Sequence, residues 1–157
     1  MERAFFNCSF ISKKNTGIGE TSLQIMKNIK SHKIIFLSPI DFKEKNVIKI
    51  PDNLAPNNTI FNHLRRLFWV QFQVPKLMRE YKVNTFISPL PEAPLFSNSR
   101  NIVLVHDLIP LKFPKFSLLL LYHLFYVPLD LHQSKMVLCN SKSTASDVNK
   151  IYKIPWN

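Results

Sequence analysis

Glycine is scarce in this chain, in which Gly17 and Gly19 are the only two among 157 residues. Tight β-hairpins need residues at positive φ, a conformation that glycine adopts most easily. A chain with two glycines and eleven prolines is therefore poorly suited to a hairpin-rich all-β fold. The scarcity also excludes a G-x-S-x-G nucleophile elbow and a G-x-x-x-x-G-K phosphate loop, because no glycine remains to build either.

Cysteines and acidic residues are also few. Cys8 and Cys139 lie in apolar, strand-like runs, which predicts buried, reduced thiols. Ten acidic against 21 basic residues leave a formal charge of +11, and such a surface attracts phosphate groups. The basic residues are scattered and no nucleic-acid-binding signature accompanies them, so we expect no nucleic-acid partner. The histidines, cysteines and acids show no metal-ligand spacing, which predicts no metal site.

The chain also lacks a hydrophobic run long enough to span a membrane. The most apolar stretch, FSLLLLYHLFYVPL at 116–129, has about fourteen residues, whereas a span needs roughly 20. It predicts a buried helix, and a helix that lies on a membrane surface is the second choice. No signal peptide is evident at the start. We therefore expect one cytoplasmic domain that covers residues 1–157.

Short apolar runs alternate with helical patterns along the chain. Strands are predicted at 4–11, 33–37, 47–50, 84–88, 101–105 and 135–139. The run at 101–105 is typical of a strand buried on both faces. Helices are predicted at 18–29, at 59–81 with an interruption at Pro75, at 116–131, and after the hydroxyl N-cap Ser141. This order predicts an α/β fold, with a Rossmann-like parallel sheet and helices on both faces.

Two faces of the helix at 59–81 are distinctive. Its apolar face is predicted from residues 61, 64, 68, 72, 78 and 81. Arg65, Arg66, Trp69 and Gln73 share another face by helical spacing. A basic, aromatic face can bind a sugar or a phosphate, but we favour the alternative, in which it is solvated or packs against a neighbouring loop.

Polar residues follow four of the predicted strands. They are Asn15 to Gly19 after the first strand, Ser88 after the strand at 84–88, His106 and Asp107 after the strand at 101–105, and Asn140 and Ser141 after the last strand. In open α/β sheets, ligands bind outside the carboxyl ends of the strands. One edge of the predicted sheet is therefore the candidate site.

The glycine pair has two equally weighted interpretations. One is a loop that approaches a phosphate or sugar closely and leads into a helix N-terminus that favours anions. The other is a tight turn that needs positive φ. A dinucleotide fingerprint fits in part, with Gly17, Gly19 and Ser22 in the three glycine positions and Asp41 ending the next strand region. A nicotinamide or flavin enzyme is therefore a minor alternative.

His106 and Asp107 form the second cluster of interest. A histidine at the end of a buried strand can donate to a bound group or protonate it near neutral pH. Asp107 has a structural task as well, since its carboxylate can accept N–H bonds from the following turn. The position favours function for His106 and structure for Asp107. The remaining histidines, at 32, 63, 123 and 132, are interpreted as surface or core residues.

Four segments together resemble the N-terminal domain of family-4 glycosyltransferases, the retaining enzymes of the GT-B fold. They are NCSFISKKNTGIGETSLQIMKNI, RRLFWVQFQVPKLMREYKVNTFISPLPEAPLF, NIVLVHDLIPLKFP and MVLCNSKSTASDVNKIYKIP. The third segment is the most specific and the glycine loop the least specific. The likeness covers nearly the whole chain, so the fold that it implies is one half of a GT-B enzyme.

This resemblance implies transfer of a sugar from a GDP- or UDP-sugar to a saccharide or lipid-linked acceptor, with no further cofactor. It makes His106 the catalytic residue beside the transferred sugar. It assigns Gly17, Gly19, Asn15 and Ser141 to the donor phosphates and sugar. Acceptor-side or structural roles are expected for Asp107, Ser88, Glu92, Arg65 and Trp69.

The family's second domain, which holds the donor through a pair of glutamates, is absent from this sequence. The resemblance therefore implies that the chain is inactive alone and needs a separate donor-binding domain, as a truncated gene product or as half of a split enzyme would. It also implies a cytoplasmic protein whose basic surface touches the anionic inner face of a membrane. The alternatives are a non-catalytic nucleotide- or sugar-binding module and, less favoured, a dinucleotide-dependent oxidoreductase.

Overall fold

The computed structural model describes residues 3–12, 17–42, 45–55 and 60–155. These residues form one parallel sheet in the order β3-β2-β1-β4-β5-β6. The strands are β1 Ala4–Asn7, β2 Ile34–Ser38, β3 Val47–Lys49, β4 Thr85–Ser88, β5 Arg100–Val105 and β6 Met136–Cys139. The predicted Rossmann-like α/β fold is confirmed.

Helices connect the strands. They are α1 Gly17–Asn28, α2 Ile60–Glu80, α3 Ile109–Lys112, α4 Leu118–Leu121, α5 Val127–Gln133 and α6 Lys142–Tyr152. A π-helical turn, Tyr122–Tyr126, joins α4 to α5. Pro128 lies just after this turn and has no N–H to donate to the preceding turn. The helical run from 118 to 133 therefore widens before the proline.

Helices cover both faces of the sheet, as predicted. On one face, Met26 of α1 packs with Phe6 and Phe36. On the other face, residues of α2, α5 and α6 form a larger core with Phe5 and Phe86. The alternation of Phe5 and Phe6 between the two cores follows from the two-residue repeat of a strand. Cys8 is fully buried, as predicted, whereas Cys139 is only half-buried, and both are free thiols.

Three local predictions are wrong. The first strand ends at Asn7 rather than at residue 11, because the Asn7 side chain accepts a hydrogen bond from the Ser9 N–H and turns the chain. Helix α2 runs through Pro75 without ending there. Strand β5 is not buried on both faces, since Val103 and Val105 are buried but the alternating residues Ile102 and Leu104 are only half-buried.

The predicted apolar face of α2 is wrong in most of its positions. Phe61, Phe68 and Phe72 are 73%, 63% and 60% exposed. The helix instead buries Arg66, Val70, Val74 and Met78 against the core. A single arginine interrupts this apolar series in the sequence, and it can be buried because a carboxylate neutralises it, as described below.

The helical run at 118–133 is not the buried helix that its sequence predicts. Its inner side is buried through His123, Val127 and Leu131. Its outer side is not, since Phe125 is 67% exposed and Phe116, just before the run, is 93% exposed. Among the described residues, none of the helices combines the length and hydropathy required to cross a membrane.

Left-handed backbone occurs at lysines rather than at glycines. Lys82 and Lys153 follow α2 and α6 with φ of 53° and 59°. Neither glycine has positive φ, and both lie in the first turn of α1. The tight-turn interpretation of the glycine pair is therefore wrong.

Candidate functional site

A cleft of about 280 Å³ lies at the carboxyl edge of the sheet. It opens beside the position where the strand order reverses between β1 and β4, the usual ligand position in such sheets. The loops after β4 and β5 and the helices α1, α2 and α4 contribute to its walls. The polar side chains of these walls are His63, Arg66, Glu92, His106, Asp107, Tyr122 and His123.

His106 is half-buried in this cleft, directly after β5. Its Nε2 lies 2.9 Å from the carbonyl oxygen of Pro89. Because a carbonyl only accepts, Nε2 carries the proton, and Nδ1 of the neutral ring is an acceptor. The backbone oxygen of His106 accepts a hydrogen bond from Thr144 Oγ1 at 3.1 Å. Ring and backbone are thus fixed, and no described residue hydrogen-bonds to Nδ1.

A buried ion pair forms the opposite wall of the cleft. Arg66 Nε lies 2.6 Å from Glu92 Oε2, and Arg66 Nη2 lies 2.7 Å from Glu92 Oε1. The two residues are 4% and 1% exposed. Burial opposes the charge on the guanidinium, but Glu92 outweighs it, and the pKa of Arg66 is raised. This bidentate geometry fixes both side chains.

His63 and Tyr122 complete this wall. His63 Nδ1 lies 3.0 Å from Arg66 Nη2, and the His63 ring packs edge-on against Tyr122 with centroids 4.8 Å apart. Burial lowers the pKa of His63, so its ring is neutral at pH 7. Arg66 then donates to Nδ1, and Nε2 carries the proton. The buried Nε2 has no hydrogen-bond partner among the described residues.

The N-terminus of α1 reaches the cleft through Ile18. A Cβ added at Gly17 would meet nothing within 4 Å, so the helix begins at an uncrowded position, whereas Gly19 is buried. The first N–H groups of α1 have no partner within the helix. The carboxylate of Glu20 accepts a hydrogen bond from Gln24 Nε2 at 2.7 Å, one turn further along. Asn15 lies outside the described residues.

The structure places three other predicted site residues in hydrogen bonds within the fold. Ser141 is an exposed N-cap whose Oγ accepts from the Thr144 N–H. Ser88 is buried, and its Oγ lies 3.4 Å from Asn7 Nδ2. Asp107 accepts from the Ile109 N–H at 3.0 Å. Neither serine lines the cleft, and the carboxylate of Asp107 has the structural contact that was expected.

Arg65 and Trp69 belong to a different cleft. It has a volume of about 300 Å³ and lies between α2 and the turn at 51–54. Trp69 is buried and Arg65 exposed. The expectation that this face of α2 is solvated or packs against a loop therefore holds for these two residues. It holds for Arg66 as well, which is buried against Glu92 of the loop after β4.

The cleft that contains His106 is also lined by residues that the sequence did not single out. His63 and His123 were interpreted as surface or core residues, yet both line it. Tyr122 lies in the π-helical turn and donates to the Pro91 carbonyl oxygen at 2.9 Å. π-Helical turns occur often at functional sites. The proline at 128 was the only sequence signal that pointed to this irregularity.

The position of Gly17 argues against the dinucleotide-binding alternative. The strand order is that of dinucleotide-binding sheets. However, Gly17 comes well after Asn7, where β1 ends, and lies inside α1. It does not form the tight strand-to-helix turn in which that fingerprint places its first glycine. The described residues also contain no group of three or more His, Cys, Asp or Glu side chains able to hold a metal ion.

The sequence matches no protein-family model and no curated protein at a significant level.

Proposed function

We propose that this chain is the N-terminal, acceptor-side domain of a retaining glycosyltransferase that uses a nucleotide-sugar donor. The observation that supports this most is the convergence of three features on one cleft. They are the His106 imidazole, the start of α1 at Ile18 and the wall built from Arg66 and Glu92. The motif NIVLVHDLIPLKFP, on which the resemblance mainly rests, supplies the histidine.

His106 would contact the transferred sugar. With Nε2 donating to Pro89, the neutral ring offers Nδ1 as an acceptor for a sugar hydroxyl. When protonated, the ring donates at Nδ1 instead and is cationic beside a departing phosphate. A retaining transfer passes through an oxocarbenium-like transition state, in which fixed hydrogen bonds and charges supply most of the stabilisation.

The first turn of α1 would face the donor diphosphate. Free backbone N–H groups and the positive end of the helix dipole favour an anion at this position. Gly17 leaves the backbone accessible, since no side chain projects from it and it is exposed, whereas Gly19 is buried. The chain's formal charge of +11 favours approach of the negatively charged donor from solution.

Arg66 and Glu92 would hold neighbouring groups in position and would not take part in the reaction. Both Glu92 oxygens are within 2.7 Å of the guanidinium, so this carboxylate is poorly suited to take a proton from an acceptor hydroxyl. The pair holds the His63 ring, whose Nε2 has no described partner. Neutral His63 is therefore suited to donate one hydrogen bond to an acceptor hydroxyl.

Titration of UDP-glucose and GDP-mannose into the chain tests this proposal. We expect weak binding by calorimetry, and His106→Ala should reduce the affinity by roughly tenfold because a hydrogen bond is lost. His132→Ala is the matched control, since His132 is exposed on α5 and does not line this cleft. A ligand-induced shift of the His106 ring signals, without one at His132, would locate the sugar by NMR.

Three results would change the assignment. Unchanged affinity in His106→Ala would remove this histidine from the site. Tight nucleotide-sugar binding by the isolated chain, with no transfer to any acceptor, would favour the non-catalytic module. Binding of NAD or a flavin in preference to nucleotide-sugars would favour the oxidoreductase.

Replacing Glu20 with glutamine should raise the affinity for nucleoside diphosphates about two- to fivefold. An acid in the first turn of α1 repels a ligand anion there, and surface charges at helix ends contribute about 0.3–1 kcal/mol. Glutamine keeps a carbonyl oxygen that can accept from Gln24. The measurement is calorimetry with UDP at low ionic strength, and Glu80→Gln at the far end of α2 is the control. An equal gain in both variants would indicate a general charge effect instead of a site at α1.

A further inference from the structure

Two neighbouring helical segments leave large apolar side chains uncovered. On α2 these are Phe61, Leu64, Phe68 and Phe72, and the rings of Phe68 and Phe72 stack with centroids 6.1 Å apart. In the second segment, which runs from α3 to α5, the exposed residues are Ile109, Phe113, Phe116, Leu118, Leu119, Leu124, Phe125 and Leu129. A soluble domain rarely exposes so many large apolar residues in one region unless something binds there.

Both segments lie in the same layer of the fold. Gln71 of α2 donates to Tyr126 Oη at 2.7 Å, and His63 packs against Tyr122. The two helices are therefore side by side on one face of the sheet, and their exposed residues are on the sides that point away from it. We call these exposed residues, together with the basic residues among them, the outer helical surface.

The charges of this surface are mostly positive, although Glu80 ends α2 and Asp147 of α6 pairs with Lys112 at 2.6 Å. No aspartate or glutamate occurs from Ile60 to Arg79 or from Leu108 to Leu129. On α2, Arg65, Lys76 and Arg79 are exposed at positions that flank or continue the phenylalanine row. Lys115 is exposed between Phe113 and Phe116. Phenylalanines and leucines bordered by lysines and arginines are the composition of helices that lie in a membrane interface.

We propose that the outer helical surface docks on an anionic phospholipid bilayer. The apolar residues would enter the boundary between headgroups and acyl chains, and the lysines and arginines would contact lipid phosphates. The lysines and arginines among the apolar residues favour an anionic occupant, and a bilayer also accepts the exposed phenylalanines and leucines. This inference does not depend on the proposed transferase activity.

The cleft opens next to this surface. Leu119 is exposed and also lines the cleft, which it shares with His106. A chain docked through its outer helical surface would therefore hold the mouth of the cleft close to the lipid headgroups. The ligand class that this position favours is one carried on a lipid.

Vesicle flotation with the whole chain tests the docking. We expect binding to vesicles of phosphatidylcholine with 30% phosphatidylglycerol and much weaker binding to phosphatidylcholine alone. Phe68→Gln/Phe72→Gln/Phe125→Gln should reduce the partition coefficient more than about 100-fold, since each ring leaves the apolar layer. Met136→Gln is the matched control, because Met136 is an exposed apolar residue of β6, on the face of the sheet that α1 covers.

The charge contribution is tested separately. Arg65→Gln/Lys76→Gln should reduce binding about fivefold per cation at low salt, whereas Lys27→Gln/Lys30→Gln, two exposed lysines at the end of α1, should have little effect. Circular dichroism checks that each variant is folded. Equal binding to neutral and anionic vesicles, or unchanged binding of the phenylalanine variant, would overturn the proposal. So would self-association in sedimentation experiments that the same phenylalanine variant abolishes, since the surface would then be a contact between copies of the chain.

Discussion

Arg66→Met is expected to lower the free energy of unfolding by about 3–5 kcal/mol, which is the usual cost of leaving one partner of a buried ion pair unpaired. Glu92 is almost fully buried, and Arg66 accounts for both of its short contacts. Methionine replaces the aliphatic part of the side chain but leaves the carboxylate without its counter-charge. Urea unfolding at pH 7 measures the effect.

Arg65→Met is the matched control, because Arg65 is the exposed neighbour on the same helix, and its removal should cost less than about 0.5 kcal/mol. The double variant Arg66→Met/Glu92→Leu should recover much of the lost stability, since an apolar pair of similar volume avoids the buried charge. A loss below 1 kcal/mol in the single variant would mean that water reaches Glu92 and that the wall of the cleft is not fixed by this pair.

Asp130→Asn is expected to raise the free energy of unfolding at pH 7 by at most about 4 kcal/mol, less the cost of an amide donor at the position of Oδ1, which has no described partner. Asp130 is fully buried, and burial raises its pKa from 3.8 to about 8, assisted by the nearby charge of Glu92 and opposed by a hydrogen bond from the Ala93 N–H. The folded chain therefore keeps the proton at pH 7, whereas the unfolded chain has released it. The energy follows from the roughly 3 pH units between the unfolded pKa and pH 7, at about 1.4 kcal/mol for each.

The sign of the pH dependence distinguishes this group from an ordinary surface acid. Its folded pKa is above its unfolded pKa, so its contribution to stability is most favourable below pH 4 and falls until about pH 8. Asparagine resembles the protonated acid and does not titrate. The wild-type chain should therefore lose stability relative to Asp130→Asn between pH 5 and pH 8, measured by urea unfolding at each pH. Parallel curves for the two proteins, with Asp52→Asn as the exposed control, would show that Asp130 is ionised in the fold.

The sequence was sufficient for the strands because each strand carries its own local signal. In a chain that alternates helices and strands, short apolar β-branched runs such as NIVLV form the strands. The order of these runs predicts a parallel sheet. The end of β1 was misplaced because a side chain, Asn7, turns the backbone while the following residues stay buried. Apolar character alone does not distinguish a buried strand from a buried loop.

The faces of α2 could not be predicted, because two apolar series compete in its sequence. The row that contains Phe61, Phe68 and Phe72 is the more hydrophobic one, and it is exposed. The buried row contains Arg66, whose cost is offset by a carboxylate 26 residues away. Periodicity measures the hydrophobicity of a face but contains no information about such a distant partner.

The candidate site was predictable only where it follows the strand ends. His106 was located because it comes directly after a buried strand, and the structure places it in the cleft. His63, Tyr122 and His123 come from helices, and their shared position depends on how those helices pack together and on a π-helical turn. Helical spacing does not specify either of these features.

The strand order has a consequence for how the chain folds. Ala4 pairs with both Ile34 and Thr85, so the central strand needs a neighbour that lies about 80 residues away. Among the described strands, no pair is a hairpin, and each pairing must first close the loop between its strands. About 45 residues separate β2 from β4. At a synthesis rate of 5–20 residues per second, one edge of β1 therefore stays unpaired for roughly 2–10 s. The nascent chain therefore exposes an apolar strand edge for seconds, and chaperone binding to the first 80 residues is expected to improve its yield.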